Sequence, residues 1–365
     1  MSAEPSPSPL KSRIASLDQF RGYTVAAMIV VNFIGGMHVA HPIFKHHNTY
    51  CSYADTIMPQ FFFAVGFAYR LTFLRRLKTV GAGPARSAVI QRALGLILIG
   101  FVMYHLDGEV KTWEELRSLG LGGFFRQAFQ RELCQTLVQI ALTSVWILPV
   151  IAASARARVL FMVVSAALHV ALSLWFYLEF AWHRPVIDGG WLGILSWSIP
   201  MLVGSLAYDA MIDREVRDRW RAAPGLLGWS AALMAAGYGL ACLGGGFAAP
   251  PFTPPASGRV VDVWTMSQRA GSVSYMTFSA GFSLAVYAVF VLLSDRMGFQ
   301  AGLFRTFGTN ALAAYILHPM VSLAVSPYLP NDAPLWYATA GIAVYFWICY
   351  VLIRYLEKNG LFLKL

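Results

Sequence analysis

The sequence concentrates side chains able to transfer protons in one histidine-rich stretch between its first two apolar segments. The polar members of this stretch are His38, His41, His46, His47, Asn48, Tyr50 and Asp55. Histidine titrates near neutral pH and can accept a proton from a hydroxyl or an amine, while a nearby carboxylate can fix its tautomer and stabilise the imidazolium. The stretch therefore predicts general-base chemistry. A solvated surface loop is the alternative, and the lack of an H-x-x-E-H or H-E-x-x-H pattern argues against a metal site.

Polar side chains also interrupt or border apolar segments elsewhere. They are Asp18, Arg21 and Asn32 in the first segment, Arg269 and Ser272 beside the eighth, and Asn310, Tyr315 and His318 in the ninth. Hydrocarbon cannot satisfy the hydrogen bonds of such groups, so they usually face a cavity or another helix. Arginine binds phosphate in a bidentate manner and serine can hydrogen-bond a sugar. These residues are therefore candidates for holding a cofactor or substrate, with plain helix packing as the alternative.

The composition indicates what must position these side chains. Hydrophobic residues make up 57% of the 365 residues and charged residues 13%, whereas soluble domains have about half and about a quarter. The mean hydropathy is +0.57. This composition excludes an ordinary soluble domain and predicts a membrane protein in contact with the lipid bilayer.

The charges and cysteines exclude other classes of protein. The net charge is +10, but the cations lie between apolar runs and form no basic stripe, so a nucleic-acid partner is not expected. The four cysteines are far apart and include no C-x-x-C pair, which argues against a disulfide framework or a structural zinc site.

Runs of about 20 apolar residues, long enough to cross a bilayer as a helix, divide the chain. Ten such runs predict an all-α polytopic membrane protein with about ten transmembrane helices, at residues 20–40, 56–74, 88–105, 133–153, 159–181, 191–211, 224–246, 272–294, 306–326 and 335–354. We expect residues 1–15 to be a flexible cytoplasmic tail and residues 16–365 to form a single transmembrane domain. No cleavable signal peptide is evident.

Lysine and arginine predict the orientation, since short cytoplasmic loops retain positive charge. These residues fall mainly in alternate connecting segments, such as residues 75–92 and 214–221. Both termini are therefore predicted to be cytoplasmic. The opposite side then receives three longer polar loops, which are His38–Asp55, Asp107–Glu132 and Ala248–Gly271.

Several motifs in this sequence resemble a known family. The main ones are S-L-D-Q-F-R-G-Y-T-V-A-A-M-I-V-V-N-F-I-G-G at 16–36, F-K-H at 44–46 and A-D-T-I-M-P-Q-F-F-F-A-V-G at 54–66. Shorter similar segments are L-V-Q-I-A-L at 137–142, G-I-L-S-W-S-I-P-M-L-V-G at 193–204, S-V-S-Y at 272–275 and F-G-T-N-A-L-A-A-Y-I-L-H at 307–318. Together they resemble the heparan-α-glucosaminide N-acetyltransferases and their bacterial relatives.

This resemblance implies a transmembrane acyltransferase that takes an acetyl group from cytoplasmic acetyl-CoA and delivers it to an amino sugar on the far side. It implies that a loop histidine is catalytic. That role falls on His46, with Asp55 as its polar partner. The adjacent His47 is the alternative position for the catalytic histidine. The resemblance also matches Asp18, Arg21, Asn32, Asn310 and His318 to the motifs of the family. The residues predicted to bind acetyl-CoA are Arg21, Asn32, Arg269, Ser272, Asn310 and His318.

Two other functions stay open from the sequence. A solute transporter would also place polar residues within the membrane. An O-acetyltransferase of exported polysaccharide would differ only in the acceptor atom. We expect an extracytoplasmic saccharide as acceptor and a bacterial inner membrane as the location, and we leave open whether the chain pairs with a second copy of itself.

Overall fold

The computed structural model describes residues 14–104, 110–130, 134–183, 188–212, 214, 216–244, 246–255 and 261–363. All but the last two residues of the predicted tail at 1–15 lie outside the described residues. Parts of the predicted polar loops, at 107–109, 131–132 and 256–260, also lie outside them. All regular secondary structure in the described part of the chain is helical.

Thirteen α-helices follow one another along the described residues. Their bounds are α1 Ala15–Ile34, α2 Tyr53–Val80, α3 Ala82–Tyr104, α4 Trp113–Gln130, α5 Thr136–Trp146, α6 Ala155–Leu172, α7 Leu178–His183, α8 Gly193–Ile212, α9 Ala223–Ala241, α10 Val273–Phe290, α11 Gly302–Thr309, α12 Ala311–Val325 and α13 Leu335–Lys358. A short π-helical segment, Ser173–Tyr177, joins α6 to α7.

The prediction of a helical polytopic membrane protein is confirmed. Among the described residues, eight helical stretches are long and apolar enough to cross a membrane: Tyr53–Val80, Ala82–Tyr104, Ala155–His183, Gly193–Ile212, Asp218–Gly244, Val273–Arg296, Ala311–Tyr328 and Leu335–Lys358. A helix also lies in the other two predicted segments. However, α1 carries several polar side chains and α5 has only 11 residues, so the count of ten spans stays a prediction.

Three helices form the centre of the bundle. In the most apolar windows of α2, α8 and α10, 67%, 78% and 67% of the residues are buried, against 17% to 22% in the other five stretches. The outer helices expose large apolar side chains such as Leu98, Val163 and Leu323. An outer surface of this kind suits lipid rather than water.

Paired glycines bring the central helices into backbone contact. A Cβ atom on Gly66 of α2 would overlap the carbonyl oxygen of Met201 in α8, and a Cβ atom on Gly204 would overlap the carbonyl oxygen of Phe63. In lipid, small residues permit this close approach and dispersion contacts then hold the helices together. The reciprocal pair fixes α2, which begins beside the histidine-rich loop, against α8.

A buried ionic network stabilises α2 at its other end. Arg70 of α2 donates to Asp209 of α8, with Nε 3.0 Å from Oδ1, and its Nη1 lies 2.6 Å from the carbonyl oxygen of Ile151. Arg158 of α6 pairs with the same carboxylate and donates to Ser205 at 2.7 Å. Charges this deep require such partners, which explains an arginine in the second apolar segment.

Candidate functional site

One end of the bundle contains a partly open cavity of about 330 Å³. At this end α1 and α3 finish, while α2 and α5 begin. The polar lining side chains are Asn32, His46, Tyr104, Gln135, Thr136, Asp188, Gln268 and Tyr315. The apolar ones are Met28, Val31, Ala54, Ile57, Met58 and Phe61. The structure thus brings together Asn32, His46 and Tyr315, three candidates that the sequence places far apart.

The loop that carries His46 is tied to the start of α2. Ser52 caps this helix in a capping box, in which its Oγ accepts from the backbone N–H of Asp55 and the Asp55 carboxylate accepts from the N–H of Ser52. The same Oγ lies 2.8 Å from the carbonyl oxygen of Lys45. Two orphan N–H groups of the helix end are thereby satisfied, and the residue before His46 is held beside Asp55.

His46 and Asp55 form a hydrogen-bonded dyad in the wall of the cavity. The Nδ1 atom of His46 lies 2.9 Å from Oδ1 of Asp55, and their side chains are 44% and 1% exposed. An ionised carboxylate only accepts hydrogen bonds, so Nδ1 carries the proton and Nε2 of the neutral ring is free to accept one. The accessible partner is therefore the base and the buried partner fixes its tautomer.

The dyad shifts the titration of its histidine. Burial lowers the pKa of His46, but the hydrogen bond to Asp55 and the negative charges of Asp55 and Asp188 raise it by more, so the net pKa lies above the usual value of 6.5. A nearby negative charge favours the imidazolium. The site is thus suited to stabilise the protonated ring that forms when His46 removes a proton.

His47 occupies a different environment from its neighbour. Its Nε2 lies 2.9 Å from the carbonyl oxygen of Pro42, to which it donates. Its ring stacks on Tyr50 with 4.3 Å between the ring centroids, and its backbone N–H points at the Asp55 carboxylate at 3.3 Å. His47 is not among the lining residues of the cavity. Its side chain therefore supports the loop, whereas that of His46 faces the cavity.

Asn32 and His318, which the sequence makes candidates for binding acetyl-CoA, are in contact with each other. The Nδ2 atom of Asn32 lies 3.3 Å from Nε2 of His318, and Nδ1 of His318 lies 2.7 Å from the carbonyl oxygen of Tyr315. Since Nδ1 must donate to this carbonyl, Nε2 accepts from Asn32. His318 is buried behind Asn32, whose exposed amide lines the cavity.

Two candidates next to α10 lie beside the cavity rather than in its lining. The guanidinium of Arg269 packs over the ring of Trp182 at 5.5 Å. The hydroxyl of Ser272 accepts from the N–H of Ser267 at 3.0 Å. Both residues therefore shape the segment before α10, and the neighbouring Gln268 is the one that lines the cavity.

Asn310 sits at the break between α11 and α12 and holds the last described residues. Its Nδ2 donates to the carbonyl oxygen of Leu361 at 2.8 Å, and its Oδ1 accepts from the N–H of Leu363 at 3.2 Å. Both polar atoms of the amide are thus used within the fold. The structure places Asn310 away from the cavity lining, although the sequence made it a candidate for binding acetyl-CoA.

Arg21 lies near the beginning of α1, about 16 Å along the helix axis from Asn32 at its end. It pairs with Asp18 at 4.0 Å. Arg92 of α3 interacts electrostatically with Arg21 and Arg76, and Arg76 and Arg92 line a small pocket between α2, α3 and α5. Three arginines of different helices thus gather at the end of the bundle opposite to the cavity.

Several polar residues of the cavity were not predicted from the sequence, and Asp188 is the charged one among them. Asp188 is 3% exposed, and its charge acts electrostatically on His46. Gly189 and Gly190 follow it, both with positive φ, and α8 begins shortly afterwards. Asp55 likewise lies at the start of an apolar helix. This shared position is the sequence signal that could have identified Asp188.

No protein-family model matches this chain. No curated protein matches it either. Among the described residues, the His, Cys, Asp and Glu side chains form no group of three or more that could hold a metal ion. The function of the chain is therefore inferred from the geometry of the cavity and from the resemblance of its motifs.

Proposed function

We propose that this protein is a transmembrane acyltransferase that moves an acetyl group from acetyl-CoA to an amino sugar or another saccharide across the membrane. The observation that carries the proposal is the dyad of His46 and Asp55 in the wall of a cavity that Asn32 also lines. This arrangement combines a base, the group that orients it and an amide donor in one chamber. Acyl transfer needs these three parts.

In this reaction His46 is the general base. Its Nε2 removes the proton from the acceptor as the acceptor nitrogen or oxygen attacks the thioester carbon. Asp55 stabilises the imidazolium, which then protonates the departing coenzyme A thiolate. The Nδ2 atom of Asn32 has a second hydrogen, beyond the one given to His318, that can stabilise the negative charge on the thioester oxygen.

The arginines at the opposite end of the bundle suit the donor. Coenzyme A carries phosphates and is too polar to cross the bilayer, so its thioester end must reach the cavity from the other side. Positive charge for these phosphates comes from Arg21, Arg76 and Arg92. We propose that this end faces the cytoplasm and that the His46 cavity opens on the far side of a bacterial inner membrane. The chain then crosses the membrane ten times and has both termini in the cytoplasm.

This function is tested with labelled acetyl-CoA and sealed proteoliposomes that contain the purified full chain. Acetyl-CoA is supplied on one side, and a panel of amino sugars and neutral sugars on the other. We expect acetylated sugar on the acceptor side, and none with His46→Ala. Uptake of unmodified sugar without acetylated product would contradict the proposal and favour a transporter, and ester products alone would favour an O-acetyltransferase.

A further inference from the structure

A proline-rich segment of the connection between α9 and α10 contacts the loop that carries His46. We call this segment, P-P-F-T-P-P at residues 250–255, the strap. Proline fixes φ and has no backbone N–H, so the strap is stiff and its backbone can donate only from Phe252 and Thr253. Thr253 donates to the carbonyl oxygen of Pro250 at 3.1 Å, within the strap. The N–H of Phe252 instead donates to the carbonyl oxygen of Cys51 at 2.7 Å.

Phe252 has an unusual backbone conformation. Its φ is 71°, and it is the only non-glycine residue with a positive φ among the described residues. A β-carbon makes this conformation unfavourable, so other contacts must hold the residue there. Its ring packs on Phe278 and Phe282 of α10, with centroid distances of 5.9 Å and 5.5 Å. Strained backbone of this kind is found mainly at functional sites. The ring thus anchors the strap to α10 and fixes the direction of the Phe252 N–H.

Further contacts hold the strap on both sides of Phe252. Ala248 before it and Pro255 after it line a small pocket together with Thr49 and Tyr50 of the histidine-rich loop. The hydroxyl of Tyr238 in α9 donates to the carbonyl oxygen of Ala248 at 2.8 Å. The strap is therefore fixed against residues 49–51 and cannot easily shift along them.

The hydrogen bond of Phe252 reaches the dyad through a single peptide group. The carbonyl of Cys51 and the N–H of Ser52 belong to one planar peptide bond. Its carbonyl accepts from Phe252, and its N–H donates to Oδ2 of Asp55 at 2.9 Å. The other carboxylate oxygen, Oδ1, lies 2.9 Å from Nδ1 of His46. Because the peptide is rigid, fixing its carbonyl also fixes the N–H that holds the carboxylate, and hydrogen bonds in such a chain polarise one another.

We propose that Phe252 is a positioning residue for the dyad of His46 and Asp55, which it keeps aligned through the Cys51–Ser52 peptide. Phe252 is not among the lining residues of the cavity, so it acts only through this peptide. The role goes beyond the proposed acetyl transfer, because it concerns the geometry of the dyad and holds for any reaction in which His46 is the base. A strap that only packed would affect stability and leave the dyad unchanged.

The ionisation of His46 tests this role directly. Phe252→Ala removes the ring that holds the positive φ, so the strap should relax and its N–H should turn away from Cys51. The hydrogen bond from Asp55 raises the pKa of His46, and a loosened bond raises it less, while the charges of Asp55 and Asp188 remain. We expect the midpoint, followed by NMR of ¹³C-labelled histidine in the purified full chain, to fall by about 0.5 to 1 pH unit, the equivalent of one hydrogen bond. A spectrum of His46→Ala identifies the signal among the eight histidines.

Two variants control for a general effect on the loop. Phe247→Ala removes a ring that is 96% exposed in the same connection and should keep the wild-type midpoint. Phe252→Tyr retains the ring contacts with α10 and should also keep it. An unchanged midpoint in Phe252→Ala, or an equal shift in Phe247→Ala, would overturn the inference.

A measurement on the wild-type protein covers the case in which Phe252→Ala does not fold. Since the N–H of Phe252 donates within the fold, its hydrogen exchange should be at least about 100-fold slower than in an unfolded peptide. Exchange of this amide at the rate of an unfolded peptide would overturn the inference without any variant.

An acetyl-transfer assay separates the positioning role from the proposed function, since neither the titration nor hydrogen exchange needs acetyl-CoA or a sugar. We expect Phe252→Ala to lower kcat about 10- to 100-fold, as misplacement of a catalytic group does, and Phe252→Tyr to restore it. A shifted midpoint in a protein that transfers no acetyl group would support the positioning role and reject the acyltransferase. Acetyl transfer with the wild-type kcat in Phe252→Ala would reject the positioning role alone.

Discussion

The Nδ1 atom of His46 lies 2.9 Å from Oδ1 of Asp55, which joins an accessible imidazole to a carboxylate buried at the start of α2. The same carboxylate accepts from the backbone N–H of Ser52 at 2.9 Å, and the hydroxyl of Tyr275 donates to the backbone carbonyl of Asp55 at 2.6 Å. The helix cap thus also orients the base.

Replacing Asp55 with asparagine should impair catalysis more than folding. The Oδ1 atom of asparagine can still accept from the N–H of Ser52 in the capping box, but asparagine lacks the charge that stabilises the imidazolium and lets the ring adopt the wrong tautomer. We expect kcat to fall about 10²- to 10⁴-fold, measured as acetylated product per folded protein. A variant with near wild-type kcat would show that Asp55 only caps the helix.

The pH dependence of kcat/KM should report the raised pKa of His46. A general base acts in its neutral form, so kcat/KM should rise with pH through a midpoint above 6.5, the usual pKa of histidine. Asp55→Asn removes the hydrogen bond and one of the charges that raise this pKa, so its midpoint should move to lower pH. A wild-type midpoint at or below 6.5 would contradict the dyad.

His318 should act on the reaction through Asn32. We expect Asn32→Ala to lower kcat about 10²- to 10³-fold, as the loss of one donor to a developing oxyanion does. His318→Ala should cost less, about 10-fold, because the amide remains but loses the partner that orients it. Asn310→Ala is the control: it affects the C-terminal segment and should leave kcat unchanged. The opposite ranking of His318 and Asn310 would overturn this assignment.

Gly66 should be essential for packing α2 against α8. In Gly66→Ala the added Cβ meets the backbone carbonyl of Met201, which cannot turn away as a side chain could. We expect a loss of about 1–3 kcal/mol or more and a lower thermal midpoint in detergent. Gly225→Ala in α9 is the matched control, since its Cβ would meet no atom within 4 Å. Equal midpoints for the two variants would refute this packing argument.

The sequence predicted the helices well because the length of an apolar run is a direct consequence of bilayer thickness. The resemblance of its motifs also implied the pairing of His46 with Asp55, and the two side chains are hydrogen-bonded. It could not separate His46 from His47, because that difference depends on the carbonyl of Pro42 and the ring of Tyr50.

The parts of the site that depend on distant segments were harder to predict. Asp188 precedes α8, which packs against α2, and its position before an apolar helix marks the residue but not the helices that it meets. Asn310 shows the reverse case. The sequence suggested a polar residue within a membrane-spanning helix. In the structure Asn310 precedes the first residue of α12, and its amide binds the segment at Leu361–Leu363.

The most direct test of the account compares His46→Ala with His47→Ala in one acetyl-transfer assay. The two residues are neighbours, so the substitutions perturb the same loop, but only His46 lines the cavity. With labelled acetyl-CoA and glucosamine, we predict that His46→Ala lowers kcat at least about 10²-fold and that His47→Ala retains most of the wild-type rate. Full activity in His46→Ala, or loss only in His47→Ala, would contradict the assignment of the base.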